Sequence, residues 1–187
     1  MFFGWFHDLR GAERPFRFNA ERQDAHVIFG WLQIGEIWCE FKRKSGLPKW
    51  AHYHPHVRGE TEDFCNLSKP ENVVFVAKRR LGIPGISRRL PGSGVFQMFH
   101  TDLCLSRLGK QRGHWRLPHW MYPFPNRSPL TYHGDRSKWK KSGKWAFLQT
   151  VGRGQEFILD LDSPGYPERY PADKAYEWLA RLFRHAH

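Results

Sequence analysis

The chain has 187 residues, with 30 Lys plus Arg against 18 Asp plus Glu and a formal charge of +12 at pH 7. Hydrophobic residues at 40% and aromatics at 16% exclude a disordered polyelectrolyte and predict one domain, residues 1–187, with a real core. Three widely spaced cysteines, Cys39, Cys65 and Cys104, exclude a disulfide framework and a CxxC zinc site and fit a reducing, cytoplasmic compartment, while no run approaches the ~18 apolar residues of a membrane span.

Phe2 to Phe6 (FFGWF) predicts a buried strand, and a domain opening on a strand at residue 2 is expected to have sequence upstream of it. Asp8 to Asp24, polar with Gly11 and Pro15, predicts a loop. His26 to Phe41 is the strongest strand signal: HVIFGW is continuously apolar, and Gly30 and Gly35 suit a bulge or tight bend. Lys42 to Arg58 predicts a basic, turn-rich segment, and Asn72 to Ala77 (NVVFVA) a short buried strand. Lys78 to Gly94 predicts a flexible basic stretch carrying Arg79, Arg80, Arg88 and Arg89. Val95 to Phe99 and Leu103 to Ser106 predict two short strands. Gly109 to Lys144 shows little periodicity and predicts a long functional loop ordered by its tryptophans. Ala146 to Thr150 and Glu156 to Leu161 predict strands flanking a Gly-Arg-Gly turn.

The last segment predicts the one clear helix, about residues 172–185. Pro171 suits its first position, Asp173 the positive end of the dipole, and Arg181, Arg184 and His185 the negative end. Tyr176, Leu179 and Phe183 recur on one face, with Trp178 and Leu182 beside them. The fold class is therefore α+β: a mostly antiparallel, curved β-sheet or a small PUA-like barrel, with the helix packed on it.

Charge and rings narrow the function. A pI near 10.0 is the electrostatic footprint of a polyanion partner, DNA or a nucleotide ahead of an anionic membrane surface. GRGQEF (Gly152 to Phe157) places Arg153, a five-donor fork for phosphate or a base edge, between two glycines that let backbone approach a ligand. Strand alternation puts Arg153 and Gln155 on one face and Glu156 on the other; a plain β-turn with a solvated arginine is the competing reading. HYHPH (His52 to His56) sets His54 and His56 on one side of an extended segment, the geometry of a two-His metal site, with His133, Asp135 or Glu156 as third ligand; loop histidines are the plainer alternative. WRLPHW and TYHGDRSKWKKSGKW interleave Trp115, Trp120, Tyr132, Trp139 and Trp145 with Arg116, Arg127, Arg136, Lys138, Lys140, Lys141 and Lys144. Stacking combined with phosphate neutralisation holds single strands and extruded bases, against the alternative of a solvated loop anchored by a few buried indoles. Neither GxSxG, a P-loop nor GxGxxG is present. His100 and Cys104 would need a helix to meet, which their strand-like surroundings disfavour.

FFGWF, HVIFGWLQIGEIW, HPH, NVVFVA, GVF, the LxLS run, WRLP, TYH and GRGQEFILD, in that order from Phe2 to about Leu161, resemble the third nucleotide modification associated domain family. Its members are bacterial and phage proteins tied to hypermodification of DNA bases, and they carry a segment with an acidic, proline-bearing motif before the FFGWF strand; this chain starts at that strand. The resemblance implies a link to modified nucleotides. A looser, architectural similarity is to the small barrels of the PUA, ASCH and EVE type, which hold a base in an aromatic pocket.

Two functions follow. One is a binding module in which Arg153 and Gln155 read a nucleotide, Trp5, Trp31, Trp115 and Trp139 stack on it, and Arg136 and the basic loops hold the backbone. The other is an enzyme that installs or processes a hypermodified base, with Glu156 or Asp102 as general base, His133 in acid-base work, Arg153 as phosphate or oxyanion partner, and His54 and His56 as acids or metal ligands. A defence nuclease would need a clearer His, Lys and carboxylate set. No motif names a cofactor or sets the oligomeric state.

Overall fold

A computed structural model describes residues 1–10, 17–19, 24–39, 48–53, 73–123, 133–150 and 172–186, with Glu21 and Leu130. Among them the strands are β1 (Phe2–Phe6), β2 (Leu9–Arg10), β3 (Arg17–Phe18), β4 (Ala25–Leu32), β5 (Ile34–Cys39), β6 (Val73–Ala77), β7 (Ser93–Val95), β8 (His114–Pro118), β9 (Trp139–Ser142) and β10 (Trp145–Gln149), and the helix is α1 (Ala172–Phe183). All pairings given for these strands are antiparallel, in sheets ordered β1-β4-β7, β8-β10-β9, β2-β3 and β5-β6. The fold is thus α+β and mostly antiparallel. Among the described residues the sheets are open and none closes into a barrel. No helix is long and apolar enough to cross a membrane among the described residues.

The chain divides into two compact units, the first Met1–Gly30, Ile83–Arg88 and Val95–His187, the second Trp31–Gly82 and Arg89–Gly94. In the first, β1 lies against β4 with Phe3 opposite Ile28 and Trp5 opposite His26. Val27 and Ile28 are both buried although they point to opposite faces of β4, so this strand is covered on both sides there, but β1 itself is not buried: Phe2, Trp5 and Phe6 are all exposed. Leu9–Arg10 and Arg17–Phe18 pair as a minimal hairpin inside the segment predicted as a loop. Cys104 and Ser106 form isolated bridges to Val27 and Trp115 rather than a strand. The reason is position: Leu105 donates to His26 O at 2.9 Å and accepts from Arg116 N at 2.8 Å, so the segment is a wedge between β4 and β8.

The supposed long loop from Gly109 to Lys144 contains β8 and β9. Period-two burial is present in HWRLP, where Trp115 and Leu117 are buried and the residues beside them half-buried, but the flanking His and Pro hide it. Ala146 sits opposite Leu117, and Leu148 between Trp115 and Trp139. Together these side chains make the inner face of the sheet. Helix α1 adds Ala175, Leu182 and Phe183 to the same interior, with Phe183 5.8 Å from the Phe96 ring. Burying Leu182 contributes about 1.5–3 kcal/mol. Arg88 donates to the Ala186 carbonyl just past the helix. Pro171 lies outside the described residues, as does the predicted strand Glu156 to Leu161.

In the second unit the run predicted as one strand from His26 breaks at Gln33. Gln33 donates to Gly92 O and accepts from Lys78 N, while its side-chain amide exchanges two hydrogen bonds with Gly82. β5 then pairs with β6, with a register shift between Ile34 and Glu36 that makes Gly35 the bulge. Trp31 is buried and donates to the Pro91 carbonyl at 3.0 Å. Gly94 is glycine because a Cβ there would lie 2.5 Å from the Trp31 ring.

Candidate nucleotide cleft and the Asp102 cluster

Three of the tryptophans singled out for stacking are core residues. Trp31, Trp115 and Trp139 are 4%, 0% and 4% exposed, so the structure sets them in the interior and not on a working surface. An indole carries far more apolar area than its one N–H, and here each N–H has a partner, so burial is favourable. Trp115 donates to His26 Nδ1 at 2.9 Å and Trp139 to the His133 carbonyl at 2.8 Å. The His133 ring stands edge-on to Trp115 at 5.8 Å. Burial lowers the proton affinity of His133 below the ordinary histidine value. Its Nε2 has no partner among the described residues, which fits a neutral ring. His26 is lowered too, by burial and then by the Arg112 charge.

The other candidates separate. Trp5 remains on the surface, 55% exposed, with the Arg112 guanidinium 3.7 Å from its ring centre. Arg136 is exposed and lies 5.9 Å from the Tyr122 ring. Asp135 accepts from the backbone and hydroxyl of Ser137, a turn cap rather than a ligand position. The Cys104 thiol is buried and donates to the Ser106 carbonyl, with burial raising its pKa. It therefore makes no pair with His100. Arg153, Gln155, Glu156, His54 and His56 lie outside the described residues.

A cleft lies where α1 meets the turn after β8. Its volume is about 960 Å³, and Trp120, Tyr176 and Trp178 line it together with Lys144, Arg181 and Arg184. Trp120 is placed by the 3-10 turn His119–Met121, whose first residue donates to the Lys144 carbonyl at 3.1 Å. On α1, Trp178 and Arg181 are three residues apart and so share a face, and Arg184 follows in the turn just past the helix. Lys174 and Glu177 at its rim neutralise one another in an ion pair at 3.0 Å. Half-buried rings and cations in one concavity are the combination that holds an anionic, stackable ligand. The sequence signal was there: aromatic and arginine spaced by three on a helix.

The outer face of the β8-β10-β9 sheet continues this chemistry. Register places Arg116 beside Phe147, and Phe147 beside Lys140. Guanidinium and ammonium groups sit over the rings: Arg116 is 4.6 Å and Lys144 5.6 Å from the Trp145 ring, and Arg107 is 4.9 Å from Phe147. Lys144 belongs to both the cleft and this face.

Asp102 sits in the 3-10 turn Thr101–Leu103, and its carboxylate meets two imidazoles. Oδ2 lies 3.1 Å from His185 Nε2 and 3.6 Å from His100 Nδ1. The two rings stack at 3.7 Å between centroids. Burial works against the charge on Asp102, but the His185 hydrogen bond and the charges of Arg181, His100 and His185 outweigh it and hold the carboxyl below its ordinary value. Arg181 thus connects this cluster electrostatically to the cleft it lines.

No curated protein and no solved structure matches the chain. The model of nucleotide modification associated domain 3 matches residues 1–160, up to but not including α1, and the chain belongs to that family.

Proposed function

We propose that the protein binds a nucleotide unit of DNA, with the base stacked in the cleft of Trp120, Tyr176 and Trp178 and the phosphates held by Lys144, Arg181 and Arg184. The family associates the chain with nucleotide modification, and the ligand of this reading is a modified or extruded base. The observation that carries it is the cleft itself: three rings and three cations converge on about 960 Å³, a volume suited to one nucleotide. The outer sheet face supports it as a track for the adjoining strand, since rings and cations alternate there. The earlier expectation that Arg153 and Gln155 read the base remains part of the proposal.

The test is a titration of single-stranded oligonucleotide at several salt concentrations, with the native chain and Trp178→Ala. Log affinity is expected to fall linearly with log salt, and the variant to bind about tenfold more weakly, within the ~1–3 kcal/mol measured for one base–ring stack. Salt-independent affinity, or an unchanged Trp178→Ala, defeats the reading.

The contact of Asp102 with His185, beside an arginine of the cleft, favours a second reading: an enzyme that installs or processes a hypermodified base, with Asp102 in acid-base work and Glu156 and Arg153 as further participants. Nucleoside mass spectrometry of DNA incubated with the protein separates the two, because binding alone leaves every nucleoside mass unchanged.

A further inference from the structure

We propose that His100, Asp102 and His185 form a binding site for a divalent first-row transition ion of the zinc type. It is distinct from the His54–His56 pair and stands independently of nucleotide binding.

Geometry comes first. One ligand atom from each residue can be chosen so that all three lie within 4.8 Å of one another. Ligand atoms around a tetrahedral ion at ~2.0–2.1 Å are roughly 3.3 Å apart, and the two measured separations to Asp102 Oδ2, 3.1 and 3.6 Å, bracket that value. The ring planes lie 19° apart and each nitrogen lone pair lies in its own ring plane, so turning the rings out of the stack is what brings both nitrogens onto one ion and completes the three-ligand set. His100 Nδ1 accepts the Asp102 backbone N–H at 3.2 Å, so an incoming ion displaces that hydrogen bond to take the lone pair.

Chemistry then selects the ion. Two imidazoles and one carboxylate suit zinc, cobalt, iron or manganese and are poor for magnesium or calcium, which favour oxygen. The site follows the C-terminal end of α1, where the negative end of the helix dipole favours positive charge. Arg181, whose charge acts on Asp102, opposes this, so the expected affinity is moderate. The His100, Asp102 and His185 side chains are 47%, 32% and 22% exposed. Ions can therefore exchange from solution, and among the described residues no fourth ligand joins the set.

The experiment uses the full chain, stripped of metal, and titrates Co²⁺ by its visible spectrum and Zn²⁺ by competition, with Mg²⁺ as a parallel probe. The expected result is one Co²⁺ per chain, displaced by Zn²⁺ and not by Mg²⁺. Affinity is expected to fall at least about tenfold in Asp102→Asn, in His185→Gln and in His100→Gln. His100 is the most exposed of the three, so its variant is the one least able to fail through misfolding. The His54→Gln/His56→Gln double variant should keep the ion. Absence of Co²⁺ binding to the native chain, undiminished binding in the three cluster variants, or loss of the ion from the double variant overturns the assignment.

Discussion

Trp115 donates its indole proton to His26 Nδ1 across 2.9 Å, and the bond leaves His26 uncharged, with any ring proton on Nε2. Both His26 and His133 hold protons less tightly in the fold than their ordinary value of 6.5, chiefly because they are buried. Just below that pH the unfolded chain binds more protons than the native one, so stability rises with pH through the window and is lost as pH falls from about 6.5 toward the lowered native values. Urea midpoints are expected to drop between pH 7.5 and pH 5.5, and the drop to shrink in His26→Gln. A midpoint that is flat over this range contradicts the neutral-core assignment.

The outer sheet face makes a separate prediction. Arg116→Ala and Lys140→Ala each remove a cation from it, and each should weaken single-stranded DNA binding and lower the salt slope by about 1. Trp145→Ala removes the ring beneath Arg116 and should cost about 1–3 kcal/mol of binding. Fluorescence anisotropy with a labelled oligonucleotide at stepped salt separates these: the arginine and lysine variants change the slope, and the tryptophan variant changes chiefly the intercept.

Leu182 is fully buried beneath α1. Leu182→Ala should destabilise the protein by about 2–5 kcal/mol, the usual range for a core leucine that leaves a cavity. Calorimetry measures the loss, and nucleotide affinity should fall with it, because Trp178 and Arg181 are carried by the same helix.

Gly94→Ala puts a methyl group 2.5 Å from the Trp31 ring, where neither the rigid indole nor the strand can give way cheaply. Overpacking of this kind costs about 1–3 kcal/mol. The damage should appear in the second unit, read as lost amide protection around Gln33 and Lys78.

How much of this was visible in the sequence depends on the range of the forces involved. β1, β4, β6 and β10 were legible from local apolar runs, and α1 from apolar residues recurring on one helical face. β8 was not, since Trp115 and Leu117 alternate correctly but sit among prolines and histidines that read as loop. The cleft was not legible either. Trp178 was assigned to the buried stripe of α1, and Arg181 and Arg184 to the helix dipole. Only the long-range meeting of that helix with Trp120 and Lys144 turns the leftover ring and charges into a site. The Asp102 cluster needed the same kind of closure, since His185 lies 83 residues from its carboxylate partner. Conversely, Trp115 and Trp139 resemble stacking residues in one dimension because their basic neighbours point to the opposite face of the sheet.

The division of the indoles between interior and surface has an optical consequence. Trp31, Trp115 and Trp139, shut away from water, should emit to the blue and resist iodide, whereas Trp5 and Trp50, each 55% exposed, should emit to the red and be quenched by it. Trp120 and Trp178 fall between, at the mouth of a cationic hollow that concentrates iodide around them. The native chain thus supplies its own label-free reporters, and a nucleotide entering that hollow should shield this middle fraction from the halide while leaving the blue component unchanged.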